Sequence, residues 1–165
     1  MMDTLVLALG NPLRGDDGIG AAVLEQLAAR DLPQYVTLLD GGTAGLETAL
    51  LLADYQRVFI IDAADMGLPP GSWRRIMPDQ VTLGETNLHG TLHSAGLAEA
   101  LALASALAML PSEIIIYGIQ PAVIGWEPGL SETVTAVVPV VTVALADELI
   151  PCAEVSEHEG LSPLP

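Results

Sequence analysis

Residues 4–27 read TLVLALGNPLRGDDGIGAAVLEQL, and this stretch decides the class of fold. Thr4–Leu9 is a short aliphatic run that Gly10-Asn11-Pro12 brings to a stop. Beyond the turn, Ile19, Val23 and Leu27 recur every four residues, with Glu25, Gln26 and Arg30 off that face. A buried strand, a glycine-rich turn and an amphipathic helix thus follow one another. The punctuation returns twice: Val36–Leu39 runs into Asp40-Gly41-Gly42, and Val58–Ile61 into Asp62. A fourth run, Glu113–Ile119, ends at Gln120-Pro121. Shortness and β-branched content predict strands buried on both faces. Helical patterns over Gly45–Tyr55 and His93–Leu110 lie between them. Strand and helix alternate, which predicts an α/β class with a mostly parallel sheet.

Thr133–Ala146 reads two ways. Its Val and Thr content and Pro139 suit an edge strand, since an interior proline costs a helix ~3 kcal/mol. Ser131-Glu132 in front of it, however, has the chemistry of an N-cap and an acidic first turn. The favoured reading is a helix kinked at Pro139. Loops are expected at Gly67–Gly71, Pro78–Gly90 and Pro121–Gly129. Residues 1–150 make one domain, and 151–165 an acidic, frayed tail.

Composition narrows the partners. Acidic residues outnumber basic ones 21 to 5, for a formal charge of -16. Such a surface repels phosphate backbones and anionic headgroups, so nucleic acid and membrane surfaces are excluded as expected partners. A basic protein segment suits it better, although a merely solvated acidic surface would give the same numbers. Hydrophobic residues make up 51% of the chain and aromatics 4%, so the core must be aliphatic. Cys152 is the single cysteine, which rules out an intrachain disulfide and a cysteine-based zinc cluster. Met1–Thr4 carries no positive charge and Leu5–Leu9 is too short for a signal-peptide core, so cytoplasm is the expected compartment. Leu92–Met109 is apolar for nearly the length of a span, but it holds His93, Ser94, Gly96 and Glu99 and is rich in alanine. It is read as a buried helix.

The strand ends carry Asn11, Asp16, Asp17, Asp40 and Asp62, where open α/β sheets gather their ligands. The glycine order Gly10, Gly15, Gly18, Gly20 matches neither G-x-G-x-x-G nor a Walker A motif. Asp16 and Asp17 stand where a phosphate would approach the helix, and two carboxylates there repel anions. A cation is expected, and a nucleotide is not. Crowded carboxylates are relieved by a divalent metal, with a histidine completing the ligands. Of the three histidines, His158 falls in the tail, His89 in the loop before the long helix and His93 in its first turn. A hydrogen-bonded histidine, an N-capping Asp17 and a polar strand end at Asp62 are the plainer alternatives; spacing does not show that the three meet. No G-x-S-x-G elbow is present, and Cys152 lies past the domain, so a covalent nucleophile is not expected.

These residues resemble a known family, the hydrogenase maturation proteases. Gly10-Asn11-Pro12-Leu13-Arg14-Gly15-Asp16-Asp17-Gly18-Ile19-Gly20 resembles its opening signature. Asp40-Gly41-Gly42-Thr43 and Ile60-Ile61-Asp62-Ala63 resemble its second and third motifs, and His93-Ser94-Ala95-Gly96-Leu97 its histidine segment. Tyr117-Gly118-Ile119-Gln120-Pro121 and Gly129-Leu130-Ser131 resemble its C-terminal part. The resemblance implies a single domain with a twisted sheet of about five strands and helices on both faces. It also implies a metal site at the positions of Asp17, Asp62 and His93. The implied activity is removal of a C-terminal extension from the large-subunit precursor of a [NiFe] hydrogenase after nickel insertion. The nickel would arrive with the precursor, and zinc or cadmium could occupy the same site. Asp40, Gly41, Gly42 and Thr43, with Asn11, are the implied substrate-recognition residues. Some members carry Glu where this chain has Asp17, one methylene shorter, which puts bidentate coordination in doubt. Two mechanisms remain open: a water activated at nickel held by the two carboxylates and His93, or nickel as a loading signal with Asp16 as general base. A non-proteolytic cation- or nucleotide-binding module and a regulatory partner that does not cut are the competing classes. Neither His89, Trp126 nor Glu127 receives a role from the sequence.

Overall fold

β1 (Thr4–Ala8) is buried at all five positions, as an interior strand of the sheet must be. It is flanked in parallel by β2 (Val36–Asp40) and β3 (Arg57–Ala63). β3 pairs in parallel with β5 (Glu113–Ile119), and β5 pairs antiparallel with β4 (Trp73–Ile76), giving the order β2-β1-β3-β5-β4. The computed structural model describes residues 2–43, 45–78 and 92–150, with side chains from 96 onward in the last segment. The acidic tail 151–165, Cys152, His158, His89 and most of the 78–90 loop lie outside the described residues.

Side-chain alternation along the strands builds two cores. Val6, Phe59, Ile61, Ile115 and Tyr117 face one layer, where they meet α1 (Ile19–Ala28) and α4 (Glu132–Leu149). Leu5, Leu7, Leu9, Val58, Ile60, Ile114 and Ile116 face the other, where Leu52 of α2 (Glu47–Leu52) and Leu97 and Leu101 of α3 (Leu92–Ala106) pack. The period of two sends neighbours to opposite faces. Each wholly buried aliphatic contributes roughly 1.5–3 kcal/mol. As the spacing predicts, Ile19, Val23 and Leu27 form the buried stripe of α1. Ala49 meets Ala100 and Ala104, so small residues let α2 and α3 approach closely.

Three sequence expectations need correction. β2 is an edge strand with no fully buried residue: Val36 and Leu38 pack against one core and Leu39 against the other, each only in part. β4 was not foreseen: Trp73-Arg74-Arg75-Ile76 is short, and its two arginines are exposed. An antiparallel edge needs apolar residues on one face only, and exposed charge there discourages pairing with another chain. α3 is one-sided rather than buried all round, with Leu97, Ala100, Leu101 and Ala104 inward and Glu99 exposed. It stops at Ala106, and Ala108 turns the chain with φ 55°. At 15 residues α3 spans roughly 22 Å, short of a bilayer's hydrocarbon thickness. Among the described residues no helix is long and apolar enough to cross a membrane.

α4 is helical through Pro139, which sits on the exposed side. There the carbonyl of exposed Thr135, which proline cannot bond, is open to water. Its N-cap Ser131 accepts from Val134 N at 3.3 Å, as Ser131-Glu132 predicts. Its other end is tied to the sheet. Arg57 Nη1 donates to the Glu148 carbonyl at 2.8 Å, and Tyr117 Oη to Glu148 Oε1 at 2.5 Å. Burial, then the bond to Glu148, pushes the Tyr117 phenol above its ordinary range.

β1 leads through α1 to β2 on one side, and the chain then returns through α2 to β3 on the other. The connections therefore part between β1 and β3, which opens a crevice at their carboxyl ends. Gly20, in the first turn of α1, stands at this point. A Cβ on Gly20 would stand 2.7 Å from Leu9 O and 2.9 Å from Ile61 O, both backbone atoms. Gly20→Ala is therefore expected to destabilise the protein by about 3 kcal/mol. That is a fall in Tm of about 6–12 °C for a chain this size, read by thermal unfolding; an unchanged Tm would mean that α1 can lift off without penalty.

Candidate metal-binding active site

The turn after β1 brings the first carboxylates to the crevice. Gly10 takes φ +118°, and a Cβ there would lie 1.9 Å from Asp17 O, so only glycine lets the chain double back this tightly. The turn closes on itself: Asn11 N donates to Asp17 Oδ2 at 2.9 Å, and Leu13 N to Asn11 Oδ1 at 2.9 Å. Residues Gly15–Gly18 then form a single 3-10 turn ahead of α1. Asp17 is 1% exposed and Asp16 0%. Two adjacent aspartates this deeply buried are not ordinary loop polarity.

Asp62 reaches the same rim from the penultimate position of β3, and is 4% exposed. Ile61 beside it accepts from Leu9 N at 2.9 Å and lies under Gly20, so the Asp17 turn and the end of β3 are packed together. Alternation places Asp62 on the same face as Val58 and Ile60, the face covered by α2 and α3. His93 is in the first turn of α3, four and eight residues before Leu97 and Leu101, which pack on that face. The side chain of His93 lies outside the described residues. Among the described residues, accordingly, no group of three metal-ligating side chains is found. The donor chemistry of two buried carboxylates suits a divalent cation with positions left over for a substrate.

The Asp40-Gly41-Gly42-Thr43 loop docks beside the first turn. Gly41 N donates to Ala8 O at 2.8 Å, and Gly10 N to Gly42 O at 2.7 Å. Asp40 Oδ1 accepts from Gly42 N at 3.0 Å, a local turn that steadies the loop. Asp40, Gly41 and Thr43 are exposed, Asn11 and Gly42 half-buried. All five sequence-nominated recognition residues therefore stand together along one side of the crevice, open to a large ligand.

Asp16 belongs elsewhere. Its Oδ2 accepts from Ala122 N at 2.8 Å, Val123 N at 2.9 Å and Ser131 Oγ at 2.9 Å, and its Oδ1 from Ser131 N at 2.6 Å. In return Asp16 N donates to Val123 O at 2.9 Å. The carboxylate is a clamp between the turn after β1, the 121–131 loop and the start of α4. With four donors from the chain at its two oxygens, its acceptor positions are taken up within the protein.

Sequence reasoning missed two residues that shape the rim. Gln120 is 7% exposed, and its Oε1 accepts from Met66 N at 2.7 Å and Leu68 N at 3.2 Å, while Nε2 donates to Asp65 at 3.2 Å. It holds the loop that leaves β3 just past Asp62. Ser131, read as an N-cap and as the end of the last family motif, also ties Asp16. Nothing local could have revealed either, because their partners lie more than 50 and 110 positions away.

Fold and site together define a doubly wound α/β protein whose switch point presents buried carboxylates suited to a cation. The family model for hydrogenase maturation proteases matches residues 21–148. The hydrogenase 2 maturation protease of Escherichia coli K12 is 34% identical over 139 residues, covering 83% of this chain and 84% of that one. The structure of the hydrogenase maturating endopeptidase HybD from E. coli superposes with a TM-score of 0.82 at 32% identity, over 90% of this chain and 92% of that one. The hydrogenase expression/formation protein HupD of Bradyrhizobium diazoefficiens is 36% identical over 71% of this chain, which spans 62% of that relative's length. The chain belongs to the hydrogenase maturation protease family.

Proposed function

We propose that the protein is an endopeptidase that removes the C-terminal extension of a [NiFe] hydrogenase large-subunit precursor once nickel is in place. Asp17, Asp62 and His93 grip the nickel that the precursor carries. The observation that carries this reading is a pair of buried carboxylates, Asp17 in the turn after β1 and Asp62 at the end of the adjacent β3, on segments packed together at the switch point. Two buried carboxylates on one rim are suited to a divalent cation, and membership of the family points to its identity. Zinc or cadmium would fit the same donors in place of nickel. Asp40 and its loop, with Asn11, recognise the precursor.

Cutting adds the oxygen of a water to the scissile carbonyl, breaks the C–N bond and passes a proton to the departing amine. The clamp role of Asp16 favours water activation at the nickel over a general base at that carboxylate. The acidic surface is suited to a protein partner rather than to nucleic acid or a nucleotide. Incubation with nickel-loaded and nickel-free precursor, followed by mass spectrometry of the large subunit, tests this. Loss of a C-terminal peptide from the loaded form alone is expected. Equal cutting of both would sink nickel recognition, and no cutting of either would sink the peptidase.

A further inference from the structure

We propose that Trp126 is a specificity residue of this peptidase, whose indole docks the precursor segment beside the cut. The occupant is an extended peptide with an apolar side chain flanked by basic ones. This rests on the proposed function above. Trp126 is 81% exposed, whereas the other tryptophan, Trp73, stacks on Tyr117 with centroids 5.6 Å apart. An indole held out in water on an ordered backbone is costly unless something covers it, and tryptophan is among the strongest interface anchors.

The loop that carries it is not free to drift. Asp16 accepts from Ala122 and Val123 at its base and from Ser131 at its far end. A Cβ on Gly15 would stand 2.8 Å from Val123 O, so loop and turn are in contact along their backbones. The turn that carries Asp17 therefore fixes where Trp126 stands. The guanidinium of Arg14 lies 5.1 Å from the ring centroid and orients it. Beside it runs an open groove of about 380 Å³, walled by Gly125, Trp126, Glu127, Pro128 and Gly129. Val123, 60% exposed, lines the same groove, and Leu13, 62% exposed, precedes Arg14 in the chain.

Charge selects the occupant. Glu127 lines the groove, the guanidinium of Arg14 is taken up over the indole, and the whole chain carries 21 acidic residues against 5 basic ones. Basic side chains flanking an apolar one would meet both features at once.

The full-length protein is tested in two ways. Cleavage kinetics on nickel-loaded precursor are compared for wild type, Trp126→Ala and Trp126→Phe. Trp126→Ala is expected to raise KM about tenfold or more with kcat within about twofold, and Trp126→Phe to recover most of the loss. In a Trp73→Phe background, precursor binding is expected to shift the emission of Trp126 to the blue, and the difference from Trp73→Phe/Trp126→Phe isolates that signal. An unchanged KM for Trp126→Ala, or unmoved emission while the precursor is cut, overturns the assignment. Moved emission without any cutting by wild type leaves Trp126 as a docking residue and removes the peptidase instead; neither signal removes both.

Discussion

Asp62→Asn is expected to lower cleavage of nickel-loaded precursor by about a thousandfold, equivalent to ~4 kcal/mol of barrier. The carboxamide has the same shape as the carboxylate but no charge, so the site loses attraction for a dication without losing volume. Asp62 stands at the end of β3, where its backbone pairs with Gly118, and that pairing is untouched by the change. Asp17→Asn is expected to act equally strongly. The replacement can still accept from Asn11 N through its remaining oxygen, so the turn keeps its closing bond. Both variants should therefore melt within about 3 °C of wild type, a shift of ~1 kcal/mol. Single-turnover cleavage alongside thermal unfolding separates the outcomes. Wild-type cleavage by either variant would remove that carboxylate from the site, and a large loss of Tm would make its role structural.

Asp16→Asn should behave in the opposite manner, costing about 2–4 kcal/mol of stability. Whichever way the carboxamide turns, its Nδ2 faces at least one donor. Against Ser131 N it leaves that amide unpaired, and against Ala122 and Val123 it leaves two. The charge that strengthened all four bonds is also gone. Hydrogen exchange should accelerate at the amides of Ala122, Val123 and Ser131 while the strands of the sheet keep their protection. Ser131→Ala, which deletes only the hydroxyl bond, should cost about 1 kcal/mol. A stable Asp16→Asn protein with protected loop amides and no cleavage would instead return Asp16 to the role of general base.

The contrast between two neighbouring aspartates shows why the site was only partly legible. Asp16 and Asp17 are equivalent in the sequence: adjacent, acidic, in a glycine-rich turn before a helix. In a 3-10 turn their side chains leave in different directions, and what each meets is chosen by segments far along the chain. Asp17 meets the turn that begins at Gly10, whereas Asp16 meets a loop more than 100 residues later. Distant partners leave no periodic trace. The same holds for the edges of the sheet. Val36–Leu39 has the composition of a central strand, but it pairs on one side only because the chain turns back through α2 to the far side of β1.

Local pattern by itself determined the alternation of strands and helices, the buried stripe of α1, the helix at Ser131 and the delivery of carboxylates to strand ends. These depend on spacings of two to four residues and on glycine, proline and capping chemistry, all of which a chain carries in its own order. Tertiary structure decided the rest. It set the strand order, the antiparallel β4, the packing of the Asp17 turn against the end of β3, and the different partners of Asp16 and Asp17. It also set Trp126 out in water on a loop that Asp16 holds. Each of these is a relation between segments far apart in sequence, and only the packing of the two cores against the sheet brings such segments within reach.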